Sequence, residues 1–269
     1  MNKTIAIAGL GWLGKPFALH LQNLGYRVKG SATSLEKATL LQKSGFDAYH
    51  LEISESAVSG SPIAFFEKVD YLVIMIPPGL RRNTGANYVL KMTHLLTEIE
   101  KSKVKKVILV SSTSVYGDLS GTVTEATIPR PNTESGRQLL ATEQLFLDAL
   151  DINTTIVRFA GLIGLDRHPV HFLAKKQSLT NGNDPVNLIH LNDCIAIISA
   201  VIKKQWWNEI FNAVYPDHPL KKEYYPQEAE KKGLKLPEYD DVTMAMGKKI
   251  EPNWLLDVKK YRFNTPIQS

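Results

Sequence analysis

Three glycines in the string Gly9-Leu10-Gly11-Trp12-Leu13-Gly14 stand between a short apolar run, Thr4–Ala8, and an amphipathic stretch, Lys15–Leu24. A strand, a tight turn and a helix in that order give each glycine a mechanical task. Gly9 permits the turn, Gly11 lets a pyrophosphate approach the backbone, and Gly14 lets the helix close on the strand. The N–H groups of the first helical turn then face phosphate oxygens, helped by the helix dipole. Pro16 fits that turn, where its missing N–H costs nothing. Trp12 and Leu13 complete the cradle. The chemistry expected is the gripping of a dinucleotide; a ligand-free glycine turn is the bland alternative.

The next polar cluster bears on which dinucleotide. A site that prefers NAD usually ends its second strand in Asp or Glu, which holds the ribose 2′-OH. Here the chain reads Val28-Lys29-Gly30-Ser31-Ala32-Thr33-Ser34, with no carboxylate before Glu36. Hydroxyls of Ser31, Thr33 and Ser34, with Lys37 or Lys29 nearby, suit a 2′-phosphate, so NADP is expected in preference to NAD. The competing reading is that these residues cap the helix that follows. Further on, Ile76-Pro77-Pro78-Gly79 takes the place where such a backbone passes the nicotinamide ribose, stiffened by two prolines. Arg81 and Arg82 follow, either toward phosphate or substrate or as a solvated pair.

These groups need a scaffold, and the hydrophobic pattern supplies one. Thr4–Ala8, Tyr26–Lys29, Tyr71–Ile76, Val107–Val110 and Thr155–Arg158 are nearly continuous apolar runs, as strands buried on both faces of a parallel sheet must be. Between them Lys15–Leu24, Leu35–Lys43, Tyr88–Glu100 and Arg137–Leu150 read as helices, the first two closed by Gly25 and Gly45. The alternation predicts an α/β fold, a Rossmann-like doubly wound parallel sheet. After Arg158 the rhythm loosens. Val186–Leu191 reads as a strand and Asn192 or Asp193 to Lys204 as a helix, with Asp193 as its cap. The expected division is a dinucleotide-binding domain over 1–165, to which 186–205 returns, and a small C-terminal substrate lid over 166–269. The pairs Trp206-Trp207 and Tyr224-Tyr225 are expected in that lid as packing or a subunit contact.

Five further segments carry a family resemblance in their order. Ser111-Ser112-Thr113-Ser114-Val115-Tyr116-Gly117 resembles an SSxxVYG segment, and Val157-Arg158-Phe159-Ala160-Gly161-Leu162-Ile163-Gly164 an LRxxxxYG strand and turn. Asn187–Asp193, Phe211-Asn212-Ala213 and Lys248-Lys249-Ile250 follow in the expected sequence. Nearly the whole chain is similar to the extended short-chain dehydrogenase/reductases of the NAD-dependent epimerase/dehydratase type, and most of all to a short, atypical branch. The resemblance implies an oxidoreductase or epimerase for a small polar or nucleotide-sugar-like substrate, working as a homodimer. It puts Ser112 at the active-site Ser/Thr position.

The family's acid/base pair, Tyr and Lys in YxxxK, falls on Ser135 and Leu139, so both groups are lost. A serine hydroxyl is too weak an acid to replace a phenol, and leucine lowers no neighbour's pKa. Tyr116 is the substitute phenol closest in sequence to Ser112, though the family often uses it for packing; Arg137 is the candidate cation. The loop Gly164–Pro169 resembles the family's substrate loop, so Arg167 and His168 are candidates for an anionic substrate group, with His168 able to titrate near neutrality. The alternative function is a dinucleotide-binding sensor without turnover.

Composition bounds the rest. The chain has 269 residues, a formal charge of +5 and one cysteine. Cys194 lies in an apolar run and is expected to be a core residue, and no metal site is expected. The basic excess is thin, 10 basic against 8 acidic residues over 1–100, with no Lys/Arg stripe interleaved with aromatics. No nucleic-acid footprint is expected. Apolar runs fall far short of the ~20 residues of a membrane span, and no leader pattern precedes the first strand, so a cytoplasmic protein is expected. His190 is expected to be a hydrogen-bonded core histidine.

Overall fold

The computed structural model describes residues 3–79, 85–164, 166–176, 178–240, 244 and 246–268. In chain order the first elements are β1 (Thr4–Ala8), α1 (Gly14–Asn23), β2 (Arg27–Ala32), α2 (Leu35–Lys43), β3 (Asp47–Ile53), β4 (Val58–Gly60), α3 (Pro62–Phe66) and β5 (Tyr71–Ile74). There follow α4 (Tyr88–Glu100), β6 (Lys106–Ser112), a 3-10 turn (Thr113–Tyr116), β7 (Gly121–Val123), α5 (Glu134–Leu147), β8 (Asn153–Phe159) and β9 (Gly161–Ile163). The last are α6 (Val170–Leu173), β10 (Leu188–His190), α7 (Leu191–Lys204), β11 (Ile210–Ala213), α8 (Lys221–Lys231), β12 (Lys248–Ile250) and a π-helical turn (Trp254–Val258).

Eight strands form one sheet in the order β11-β8-β6-β5-β1-β2-β3-β4. The pairs β1–β2, β2–β3, β1–β5 and β5–β6 are parallel, and β4 closes its edge antiparallel to β3. The run from β3 through β1 to β8 is the doubly wound order, whose direction reverses between β1 and β5; ligands of such sheets sit beyond the carboxyl ends of the strands at that point. Every residue of β1 and β5 is buried. This is why both read as unbroken apolar runs rather than as alternation.

The chain divides into two compact units. Unit 1 comprises Met1–Ser112, Thr133–Val157 and Ile195–Ile210; unit 2 comprises Thr113–Asn132, Arg158–Cys194 and Phe211–Ser269. Unit 1 holds the phosphate-type turn and most of the sheet. Unit 2 has its own core, in which Ile163, Val170, Val186, Leu188, Tyr224 and Ala229 pack together. Two short parallel pairs, β9–β10 and β7–β12, brace it.

The structure departs from the pattern reading at three places. β3 carries Asp47, His50 and Glu52, which broke the apolar run that would have revealed it. The strand expected over Tyr71–Ile76 ends at Ile74, because the Pro77-Pro78 pair that follows has no ladder donors. Trp206 and Trp207 belong to unit 1, not to the C-terminal region; Trp207 stacks on Tyr71 with ring centroids 5.5 Å apart. Cys194 is fully buried. No helix among the described residues is long and apolar enough to cross a membrane, and they contain no cluster of three or more His, Cys, Asp or Glu able to hold a metal.

Candidate functional site

The Gly9–Gly14 turn leaves β1 and enters α1. Gly9 has φ +108°, a conformation that favours glycine, and a Cβ on Gly14 would lie 2.1 Å from the Gly9 carbonyl oxygen. Gly14 is therefore required for the helix to close on the strand. Gly11 differs: it is exposed, and a Cβ there would meet nothing within 4 Å. Open space lies over the middle of the turn. Leu13 stands at the N-cap of α1, and no side chain caps that helix. The open surface over an uncapped helix start is what an anionic pyrophosphate needs. The residues present thus fit a dinucleotide: Gly9, Gly11, Trp12, Leu13 and Gly14 would hold its pyrophosphate.

The tip of β2 is organised differently from the expectation. The Ser31 hydroxyl accepts a hydrogen bond of 3.0 Å from the Gly9 N–H, and the side chain is buried. It braces the turn from beneath instead of reaching a 2′-phosphate. The Ser34 hydroxyl accepts from the Lys37 N–H as the N-cap of α2, so the capping reading holds for it. Lys29 donates to the carbonyls of Ala64 and Glu67 at 2.6 and 2.8 Å. Of the five polar side chains named at this tip, only Thr33 and Lys37 are exposed and not committed elsewhere among the described residues. Leu10 packs across Gly30, where a Cβ would come within 2.2 Å of it.

Past β5, the Ile76 carbonyl accepts a 2.7 Å hydrogen bond from the buried Tyr88 hydroxyl. Tyr88, a residue that the sequence did not single out, so fixes the backbone entering Pro77 and Pro78. Burial pushes its phenol far above its usual pKa, consistent with a permanent donor. Arg81 and Arg82 lie outside the described residues.

Ser112 ends β6 and is half-buried. Its neighbour Ser111 donates a 2.5 Å hydrogen bond to Glu143, which is buried on α5. Ser135, Leu139 and Glu143 are spaced by four and share one stripe of that helix. Leu139 is buried on that stripe, and an apolar side chain occupies it. Arg137 is exposed and pairs with Glu134 at 3.0 Å, one turn away. It is a surface ion pair.

Unit 2 holds the remaining candidates. Tyr116 is fully buried; its hydroxyl donates to Asn212 Oδ1 and accepts from Arg158 Nη1, each at 2.9 Å. Desolvation raises its pKa, against the pull of Arg158, the direction opposite to that needed for acid/base work at neutrality. Its environment is that of a core side chain. His168 is likewise buried, with Nε2 on the Tyr224 hydroxyl at 3.0 Å and Nδ1 accepting from the Val170 N–H. Because Tyr224 donates to the Ile267 carbonyl, its oxygen takes the Nε2 proton, and the ring is the neutral Nε2–H tautomer. Burial lowers the His168 pKa to about 4. The expected titration near neutrality is overturned. Arg167 is exposed, on a turn closed by paired backbone hydrogen bonds with Gly164.

Two smaller expectations also change. Asp193 lies inside α7, and its carboxylate accepts the N–H groups of Asn264 and Thr265, tying down the C-terminal segment rather than capping the helix. His190 ends β10 half-buried, its Nδ1 accepting the Asn192 N–H.

Residues 5–213 match the family described as NAD dependent epimerase/dehydratase. Protein YeeZ of Escherichia coli strain K12 is 34% identical over 267 residues, covering 98% of this chain and 97% of that protein. In fold the chain is similar to MoeE5 in complex with UDP-glucuronic acid and NAD, with a TM-score of 0.79 at 18% identity over 98% of this chain and 95% of that one. It is similarly close to UDP-glucuronic acid 4-epimerase from Bacillus cereus in complex with NAD, at TM-score 0.79 and 18% identity, covering 98% and 92%.

Proposed function

The chain belongs to the NAD dependent epimerase/dehydratase family, and from that premise we propose that it binds NAD(P) on unit 1 and acts as an oxidoreductase or epimerase on a small polar or nucleotide-sugar-like substrate. The single observation that carries the binding reading is the open space over Gly11 at the uncapped start of α1. A bound nicotinamide cofactor supplies a hydride donor or acceptor. This chain's part is to hold the pyrophosphate on the turn, to steer the backbone of Ile76, Pro77 and Pro78 past the nicotinamide side, and to present the Ser112 hydroxyl to a substrate oxygen. The likeness of Gly164–Pro169 to the family's substrate loop supports Arg167 as a contact for an anionic substrate group. The absence of a carboxylate at the tip of β2, with Thr33 and Lys37 exposed there, supports NADP over NAD.

A second reading, a dinucleotide-holding sensor without turnover, is supported by the motif resemblance, which puts the family's lysine at Leu139, together with the burial of that apolar side chain. One experiment separates the two. On the enzyme reading, the parent turns over NADPH or NADP with some member of a panel of nucleotide sugars and carbonyl compounds. Ser112→Ala then abolishes that turnover while leaving cofactor affinity unchanged. Full cofactor binding with no turnover by the parent across the panel decides for the sensor.

A further inference from the structure

The edge of the sheet opposite the glycine turn carries a feature that a nucleotide-binding reading leaves unused. β1, β5 and β6 are neighbours, and the segments leading into their amino ends bring lysines together from three distant parts of the chain. Lys3 precedes β1, Lys68 precedes β5, and Lys103, Lys105 and Lys106 lead into β6; they line one depression of about 400 Å³. Asp70 is the one carboxylate lining it, and it is already occupied by Lys3 Nζ at 2.7 Å and the Thr4 N–H at 2.8 Å. Lys68 faces Glu67 at 3.5 Å, so five ammonium groups against the carboxylates of Asp70 and Glu67 leave an excess of +3 around a single concavity.

Two of these cations are held by hydrogen bonds, and Lys68 is ion-paired with Glu67. Lys3 is fixed by Asp70. Lys106 donates to Gln205 at 2.6 Å, and its ammonium lies over the stacked rings of Tyr71 and Trp207, 5.7 and 5.2 Å from their centroids. Lys103 and Lys105 are exposed and make no ion pair among the described residues. An arrangement with some charges fixed and others free to close costs self-repulsion when empty and is relieved by an anion. The lysines are point charges rather than planar forks, which suits tetrahedral phosphate better than a single carboxylate. The volume falls in the range of small-ligand sites, roughly 300–1,000 Å³.

We propose that this depression is a second anion site, separate from the glycine turn, that binds a small molecule bearing a chain of phosphate groups. The ligand is either a free inorganic oligophosphate or the phosphate chain of a nucleotide, and the recognised chemistry is the same.

The test is calorimetric titration of the full-length protein with tripolyphosphate and, separately, ATP, at low and at physiological ionic strength. The parent binds tripolyphosphate, with affinity that falls as salt rises. Lys103→Glu/Lys105→Glu weakens that binding by about tenfold or more. The variant Lys175→Glu/Lys176→Glu, which changes the net charge equally on exposed residues of unit 2, leaves it unchanged. Equal weakening in both variants reduces the effect to overall charge and overturns the site. Undiminished binding in the first variant moves the anion to the glycine turn and equally overturns it. Binding of ATP without tripolyphosphate, or far tighter binding of duplex DNA, rejects a site that reads a short phosphate chain. ATP and tripolyphosphate binding alike assigns the phosphate chain as what is recognised; tighter ATP points to the nucleotide source.

Discussion

Ser31 shows how a side chain's partners decide its role. Its type and place at the end of β2 suit a ribose phosphate, yet its hydroxyl is spent on the Gly9 N–H, 22 residues away in sequence. No local pattern announces that bond, because it depends on β1 and β2 lying side by side. The same holds for Lys29, whose partners are Ala64 and Glu67. What was legible at this scale was the steric need for glycine at 9 and 14. The commitments of the hydroxyls were not. Ser31→Ala is expected to loosen the turn and cost roughly 1–2 kcal/mol, weakening NADP and NAD alike. Thr33→Ala is expected to weaken NADP selectively. Thermal-shift titration with both cofactors at equal concentration reads the ratio, since stabilisation follows ln(1 + [L]/Kd). A Ser31→Ala variant that lost only NADP would return that hydroxyl to the 2′-phosphate.

Elements were read best where a single physical signal dominates. α2 and α4 begin and end where the pattern placed them, α2 followed by a left-handed Gly45. β1 and β5 are recognisable because both their faces are covered. β10 lies inside the strand expected over Val186–Leu191, whereas the three-residue β7 and β12 escaped notice, being too short to establish a period of two. The α6–α8 region illustrates the consequence: His168 looked like an exposed loop histidine and is clasped between Val170 and Tyr224. The folded pKa of about 4 lies below the ordinary 6.5. Between these values the unfolded chain binds the proton and the folded chain does not. Stability therefore falls as pH drops through that window, by up to roughly 1.4 kcal/mol per pH unit. His190 and His218, whose pKa values burial also lowers, act in the same sense. Asp70 and Asp184, held below the usual 3.8 chiefly by partners of opposite charge and hydrogen bonds that outweigh burial, lose their contribution only at lower pH. Denaturant midpoints measured across pH 4 to 6.5 should slope less steeply in His168→Gln than in the parent. Parallel slopes would mean that His168 is not held neutral.

At the scale of the whole molecule, the fold brings together five of the 32 basic residues that looked evenly scattered along the chain. Three segments contribute lysines to one depression at the amino edge of the sheet, a convergence invisible to any window of sequence. The carboxyl edge of the same sheet was legible, because a glycine turn is a local device and the doubly wound order follows from strand–helix alternation. The loss of an acid/base Tyr and Lys, expected at Ser135 and Leu139, rests on the motif resemblance alone; where protons go in a substrate complex is not specified by residue types. The proposed dinucleotide site rests on the open space over Gly11 as the seat of a pyrophosphate. Gly11→Asp adds a side chain where nothing lies within 4 Å, so it should leave the melting temperature of the ligand-free protein unchanged while placing a negative charge against the phosphates. The deciding measurement is the rise in melting temperature with NADPH for the parent and for this variant. A pyrophosphate seated there gives a concentration-dependent rise in the parent and none in Gly11→Asp. The same rise in both, or no rise in the parent, rules that seat out.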